Sequence, residues 1–152
     1  DASIYESVGQ CTRDPLASSD ECERSFKEAR AQHAAVAPKY ATKEECVDDF
    51  GPEKCEKSPY RTSNGSSVFM PLMMGYMMGS FMGGRRSMIA QPLYRSAKNP
   101  NIFRTADNRA AGSSTGRTRV AKSATSRPSF KTRTQSRGGF GSSGRRYGSS
   151  AA

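Results

Sequence analysis

Residues 69–84 read FMPLMMGYMMGSFMGG, and the reading of this run decides the fold. It holds six of the chain's seven methionines and four of its fourteen glycines. On a helix, Gly75, Gly79 and Gly83 recur every four residues and leave one nearly bare stripe that another backbone can approach closely. Met70, Met74, Met78 and Met82 form the adjacent stripe, with Met73 and Met77 beside it. Methionine is flexible and polarizable and suits an irregular apolar partner. Pro71 fits the first turn, and Ser66 or Ser67 caps it. Mid-helix glycine costs roughly 0.8–1.0 kcal/mol relative to alanine, so close packing must compensate. The spacing therefore predicts a helix over 67–84 that meets another surface through Met74, Gly75, Met78, Gly79, Met82 and Gly83.

Length limits what that surface is. Val68 to Met82 is fifteen residues, roughly 22 Å of helix against a hydrocarbon core of about 30 Å. Three readings stay open: a membrane-lying or membrane-embedded helix, a helix packed against the disulfide head or on a second copy of itself, and a flexible apolar loop.

The chain outside this run is polar. Only 34% of its 152 residues are hydrophobic, tryptophan is absent and the formal net charge is +10. Residues 1–60 carry a net −5 and residues 61–152 a net +15. Such a split predicts an acidic folded head and a basic arm that is irregular or disordered in isolation. The expected fold class is small and mainly α: a disulfide-stapled helical hairpin over 1–57, a linker over 58–66, the Met/Gly helix over 67–84 and a basic low-complexity tail over 85–152.

The head contains Cys11, Cys22, Cys46 and Cys55. An even count in a short acidic segment reads as a disulfide framework made in an oxidising compartment. Their spacing lacks the close pairs of zinc sites. One helix is expected from Ser19, its cap, to Pro38, with Cys22, Phe26, Ala29 and His33 on one face. A second opens with the capping box Thr42–Glu45 and ends at Gly51–Pro52. Antiparallel helices favour nested bridges, Cys22–Cys46 and Cys11–Cys55, among three pairings that stay open.

The tail places Arg85 and Arg86 after the apolar run, then Arg133, Arg137, Arg145 and Arg146 among serine, glycine and scattered aromatics. These arginines are the expected contacts to an anionic surface. Binding of single-stranded nucleic acid is the weaker reading, since aromatics are sparse and no RNA-binding motif is present. His33 is the only histidine and has no nucleophile motif near it. No P-loop, G-x-S-x-G or H-E-x-x-H occurs. No enzyme activity, catalytic residue, metal, cofactor or small-molecule substrate is expected.

Four blocks carry a family resemblance: APKYATKEECVDDFGPEKC (37–55), FMPLMMGYMMGSFMGG (69–84), QPLYRSAKNP (91–100) and RGGFG (137–141). With SIYESVGQC (3–11), they make the chain resemble the YgiB-like family. These are bacterial envelope proteins of uncharacterised function, several of them candidate lipoproteins. The resemblance spans most of the chain in the same order and brings no activity or catalytic residue. It implies an export signal ahead of Asp1, often with a lipidated cysteine, and a periplasmic location. The expected role is non-enzymatic binding or scaffolding at a Gram-negative envelope, with a membrane surface or an envelope protein as partner. The alternative is a structural subunit whose tail orders between neighbours.

Overall fold

The computed structural model describes residues 2–62, 64–79, 81–82, 85–86 and 89–141. The chain runs β1 (Ala2–Tyr5), α1 (Val8–Thr12), α2 (Ser19–Val36), α3 (Lys43–Phe50), β2 (Cys55–Lys57), β3 (Phe69–Pro71), β4 (Gly75–Gly79), β5 (Phe81–Met82) and β6 (Arg85–Arg86). It continues with β7 (Gln91–Tyr94), β8 (Phe103–Thr105), β9 (Ala110–Gly112), β10 (Gly116–Thr118) and a 3-10 turn at Lys122–Thr125. Six of these strands form one antiparallel sheet in the order β10-β1-β4-β7-β8-β9. Its two edge strands, β9 and β10, are consecutive in sequence and joined by only residues 113–115. A link that short forces the edges together, so the sheet curls into a nearly closed barrel. A Cβ built on Gly112 of β9 would lie 3.2 Å from Ile4 of β1 and 3.7 Å from Thr118 of β10.

This architecture overturns the mainly α expectation. The Met/Gly run is β3, β4 and β5, not a helix, and the basic stretch after residue 90 supplies β7 to β10. The reason lies in β4. Gly75 and Met77 face the barrel interior, where Met77 packs with Ala2, Ile4, Leu93, Phe103 and Ala111. Tyr76 and Met78 face outward into a second cluster with Tyr5, Cys11, Cys22 and Ala29. A strand buried on both faces loses the polar–apolar alternation that marks a half-buried strand and reads as a continuous apolar run.

The two longer helices form where local chemistry places them. Ser18, one residue earlier than expected, caps α2 by accepting from the Glu21 amide, and Asp20 and Glu21 suit the positive end of its dipole. Thr42 caps α3 through the Glu45 amide. Gly51 ends α3 with φ +102°, a backbone that L side chains rarely adopt. The helices do not staple to each other as a hairpin. α2 lies on the outer face of β4 and β7, while α3 sits on β2 and β3.

That separation also overturns the nested pairing. The bridges are Cys11–Cys22 and Cys46–Cys55, with sequence separations of 11 and 9. Cys22 belongs to the outer cluster under α2, and Cys46 to a third cluster built around Tyr40, Phe50, Met70 and Tyr94. The first bridge ties α1 to α2; the second ties α3 to β2. Bridges closing loops this short stabilise a small fold by about 2–4 kcal/mol each.

The segment after the barrel is a strap. Lys131 donates its amide to the Ala35 carbonyl and Gln135 to that of Lys39, so the chain tracks the end of α2. The Gly138 amide then donates to Asp49 Oδ1 at 2.6 Å. Phe140 is buried in the third cluster, 4.8 Å from the Phe50 ring and 6.4 Å from that of Tyr94 by centroids.

Candidate functional site

Three main-chain bonds define a groove beside the third cluster. The Leu72 amide donates to the Lys54 carbonyl, the Met74 amide to Leu93 and the Ala97 amide to Asp49. They hold the end of α3, the β3–β4 connection and the segment after β7 around a cleft of about 230 Å³. Its walls are mostly apolar: Phe50, Pro52, Leu72, Met74 and Pro100 among them, with Lys54 and Arg95 as cations. Among the described residues, no carboxylate lines it. Arg95 is fixed from behind by Glu6 Oε2 at 2.6 Å, and its guanidinium carbon lies 4.1 Å above the Phe103 ring centroid. The groove therefore offers a fixed apolar surface with the Lys54 cation and an Arg95 already anchored to Glu6, which suits an apolar side chain accompanied by an acid.

The third cluster, which contains Phe50 of the groove wall, is edged by a buried polar network. The Tyr40 hydroxyl donates to Asp49 Oδ2 at 2.6 Å and accepts from Gln135 Nε2 at 3.3 Å. Burial first, then the Asp49 bond, push the Tyr40 hydroxyl well above its ordinary range. Lys39, 2% exposed, donates to the Ala37 carbonyl; burial and repulsion from Lys131 bring its ammonium down to about 8.

His33 packs in the interior between two elements. Its Nδ1 lies 2.7 Å from the Tyr94 hydroxyl and its Nε2 3.2 Å from Glu56 Oε2. Burial lowers its pKa, and Arg30 and Lys39 push the same way. Glu56, across the ring, opposes them. The folded state thus binds fewer protons than the unfolded state just below the ordinary value of 6.5. Stability is full above that pH and falls as the solution is acidified through it. Urea midpoints should drop between about pH 7 and about pH 5.5 in the native chain, and His33→Gln should flatten that slope. An equal slope in both would exclude His33 as its source.

The residues singled out in the sequence separate in space. Met74, half-buried, lines the groove, while Gly75, Met78 and Gly79 are buried in the sheet. Met82 pairs with Arg85 and Phe81 with Arg86 in the two-stranded β5–β6 ladder. Gly83, Arg145 and Arg146 lie outside the described residues. Arg137 is held by Asp48 Oδ2 at 2.7 Å, and Arg133 is exposed beside a separate polar cleft. No helix among the described residues is long and apolar enough to cross a membrane. Sequence reasoning missed Phe50, Pro52, Leu72, Arg95 and Pro100. Their signal was indirect: they lie in or beside the blocks that carry the family resemblance.

A family described as "Protein of unknown function (DUF1190)" matches residues 1–151. The chain is similar to the UPF0441 protein of Erwinia tasmaniensis, 37% identical over 93% of this chain and 70% of that one. The UPF0441 protein of Serratia proteamaculans is 37% identical and that of Yersinia pestis 36%, each with the same two coverages. No solved structure matches.

Proposed function

The chain belongs to the DUF1190 family, whose curated relatives carry the UPF0441 name, and on that footing we propose that it is a non-enzymatic binding protein of the cell envelope. Its groove takes a segment of an envelope protein partner that presents an apolar side chain next to a carboxylate. The observation that carries this reading is the groove itself: apolar walls fixed by main-chain bonds, Lys54 and the Glu6-anchored Arg95 as cations and, among the described residues, no acid in the lining. The envelope assignment is supported by the two disulfides, which persist where thiols are not kept reduced.

A photo-crosslinking side chain placed at Leu72 in the full-length protein in cells tests it. A discrete protein adduct is expected, lost when Met74→Arg puts a third cation in the groove. Circular dichroism of that variant separates lost binding from lost folding. Adducts only with lipid, or only with a second copy of the chain, would replace the assigned partner, and no adduct would remove the groove from consideration. Fractionation with thiol labelling tests the location: four reduced cysteines in the cytosolic fraction would overturn it.

A further inference from the structure

A second cleft, of about 410 Å³, borders the strap and shares no described lining residue with the groove. Three segments build it: Ala41 between α2 and α3, the loop before β3, and Thr132–Thr134 of the strap. Its chemistry is the opposite of the groove's. Five hydroxyls (Thr62, Ser66, Ser67, Thr132 and Thr134), the Asn64 amide and the Arg133 guanidinium line it. Val68 and Ala41 supply a small apolar base.

Two of these groups are engaged within their own loop, where the Thr62 hydroxyl donates to Asn64 Oδ1 and the Ser66 amide donates to both oxygens; the local backbone leaves the others available. Lys131 and Gln135 are tied to α2 and its end through their amides, and the three residues between them span the gap. Among the described residues, Thr132, Arg133 and Thr134 show no hydrogen bond within the chain, through main chain or side chain. The facing loop is held by its own bonds, Ser66 N to Thr62 Oγ1 and Arg61 Nη1 to the Gly65 carbonyl, leaving the Ser66 and Ser67 hydroxyls without a partner among the described residues.

We propose that this cleft binds a phosphorylated saccharide. Each part of the lining selects against another class of ligand. Among the described residues no aromatic ring lines it, so a base has nothing there to stack on. Its apolar base is too small for an acyl chain. The Ser66, Ser67, Thr132 and Thr134 hydroxyls, each both donor and acceptor, together with the Asn64 amide N–H donors, match a polyol. One guanidinium, with no carboxylate among the described lining residues to compete for it, matches one phosphate. The volume falls in the range of small-molecule sites. This inference is independent of the proposed function, and either reading can fail alone.

The test is a titration of the full chain, followed by backbone amide NMR shifts, with glucose 1-phosphate, glucose and inorganic phosphate as separate probes. Glucose 1-phosphate should move the amides of Val68 and Thr132–Thr134 and bind at least about tenfold more tightly than either fragment, because only it meets both halves of the site. Arg133→Gln, an exposed change that leaves the fold intact, should reduce its affinity on the order of tenfold. Thr134→Val should weaken glucose 1-phosphate and leave inorganic phosphate unchanged. Equal binding of inorganic phosphate and glucose 1-phosphate would reduce the site to a surface cation and overturn the proposal. So would unmoved amides in the cleft.

Discussion

Deletion of residues 128–152 will abolish the cooperative unfolding transition of this chain. The strap is rich in polar and basic residues, and by composition it looks dispensable. Its contacts say otherwise. Phe140 is 3% exposed and closes the cluster of Tyr40, Phe50, Met70 and Tyr94. Removing one such phenylalanine side chain costs about 3–5 kcal/mol, against a total stability of about 5–15 kcal/mol for a native domain. The deletion also takes the Gly138 amide and the Gln135 side chain from the Asp49–Tyr40 pair, and Lys131 and Ser129 from Asp107. A buried acceptor stripped of its donor carries a further desolvation cost. Far-ultraviolet circular dichroism in urea should show a broad, early transition for the deletion. Phe140→Ala should give an intermediate midpoint with the slope retained. A deletion that unfolds at the native midpoint would mean that the strap does not belong to the fold.

The strap also shows where sequence reading stops. Helices α2 and α3 were legible because their signals are local: Thr42 and Glu45 three residues apart, Pro38 and Gly51 as stops. The strap has no period. Its hold comes from single amides, a few side-chain bonds and one aromatic ring, and an average over composition hides them all. Four of the blocks that carry the family resemblance meet in one cluster. Tyr40 and Phe50 come from the first, Met70 from the second, Tyr94 from the third and Phe140 from the last. That convergence was present in the sequence as a list of fragments and became a site only once the sheet brought them together. The disulfides were legible as a set of four cysteines, but their pairing depended on α2 and α3 resting on different surfaces.

Gly75→Ala will destabilise the protein, and Gly75→Val will do so more strongly; the sign of the first change separates the strand from the helix. In a helix, alanine in place of an interior glycine is worth roughly 0.8–1.0 kcal/mol of added stability. In β4, Gly75 sits between β1 and β7. A Cβ there would lie 3.0 Å from the Tyr5 carbonyl oxygen and 3.1 Å from Phe103 Cε1. The ring can turn, but the carbonyl belongs to a paired strand, with Tyr5 opposite Tyr76, and cannot retreat without disturbing that ladder. Overpacking a close-fitted interior costs about 1–3 kcal/mol, which exceeds the gain alanine brings in backbone entropy. The four-residue glycine spacing did not reveal this, because positions i and i+4 share a face in a strand as well as on a helix. A double-mutant cycle fixes the cause. Phe103→Leu should cost stability alone yet recover part of the loss when combined with Gly75→Ala, since it vacates the space the new methyl needs. Strict additivity would place the strain at the Tyr5 carbonyl alone, and a stabilised Gly75→Ala would contradict the strand.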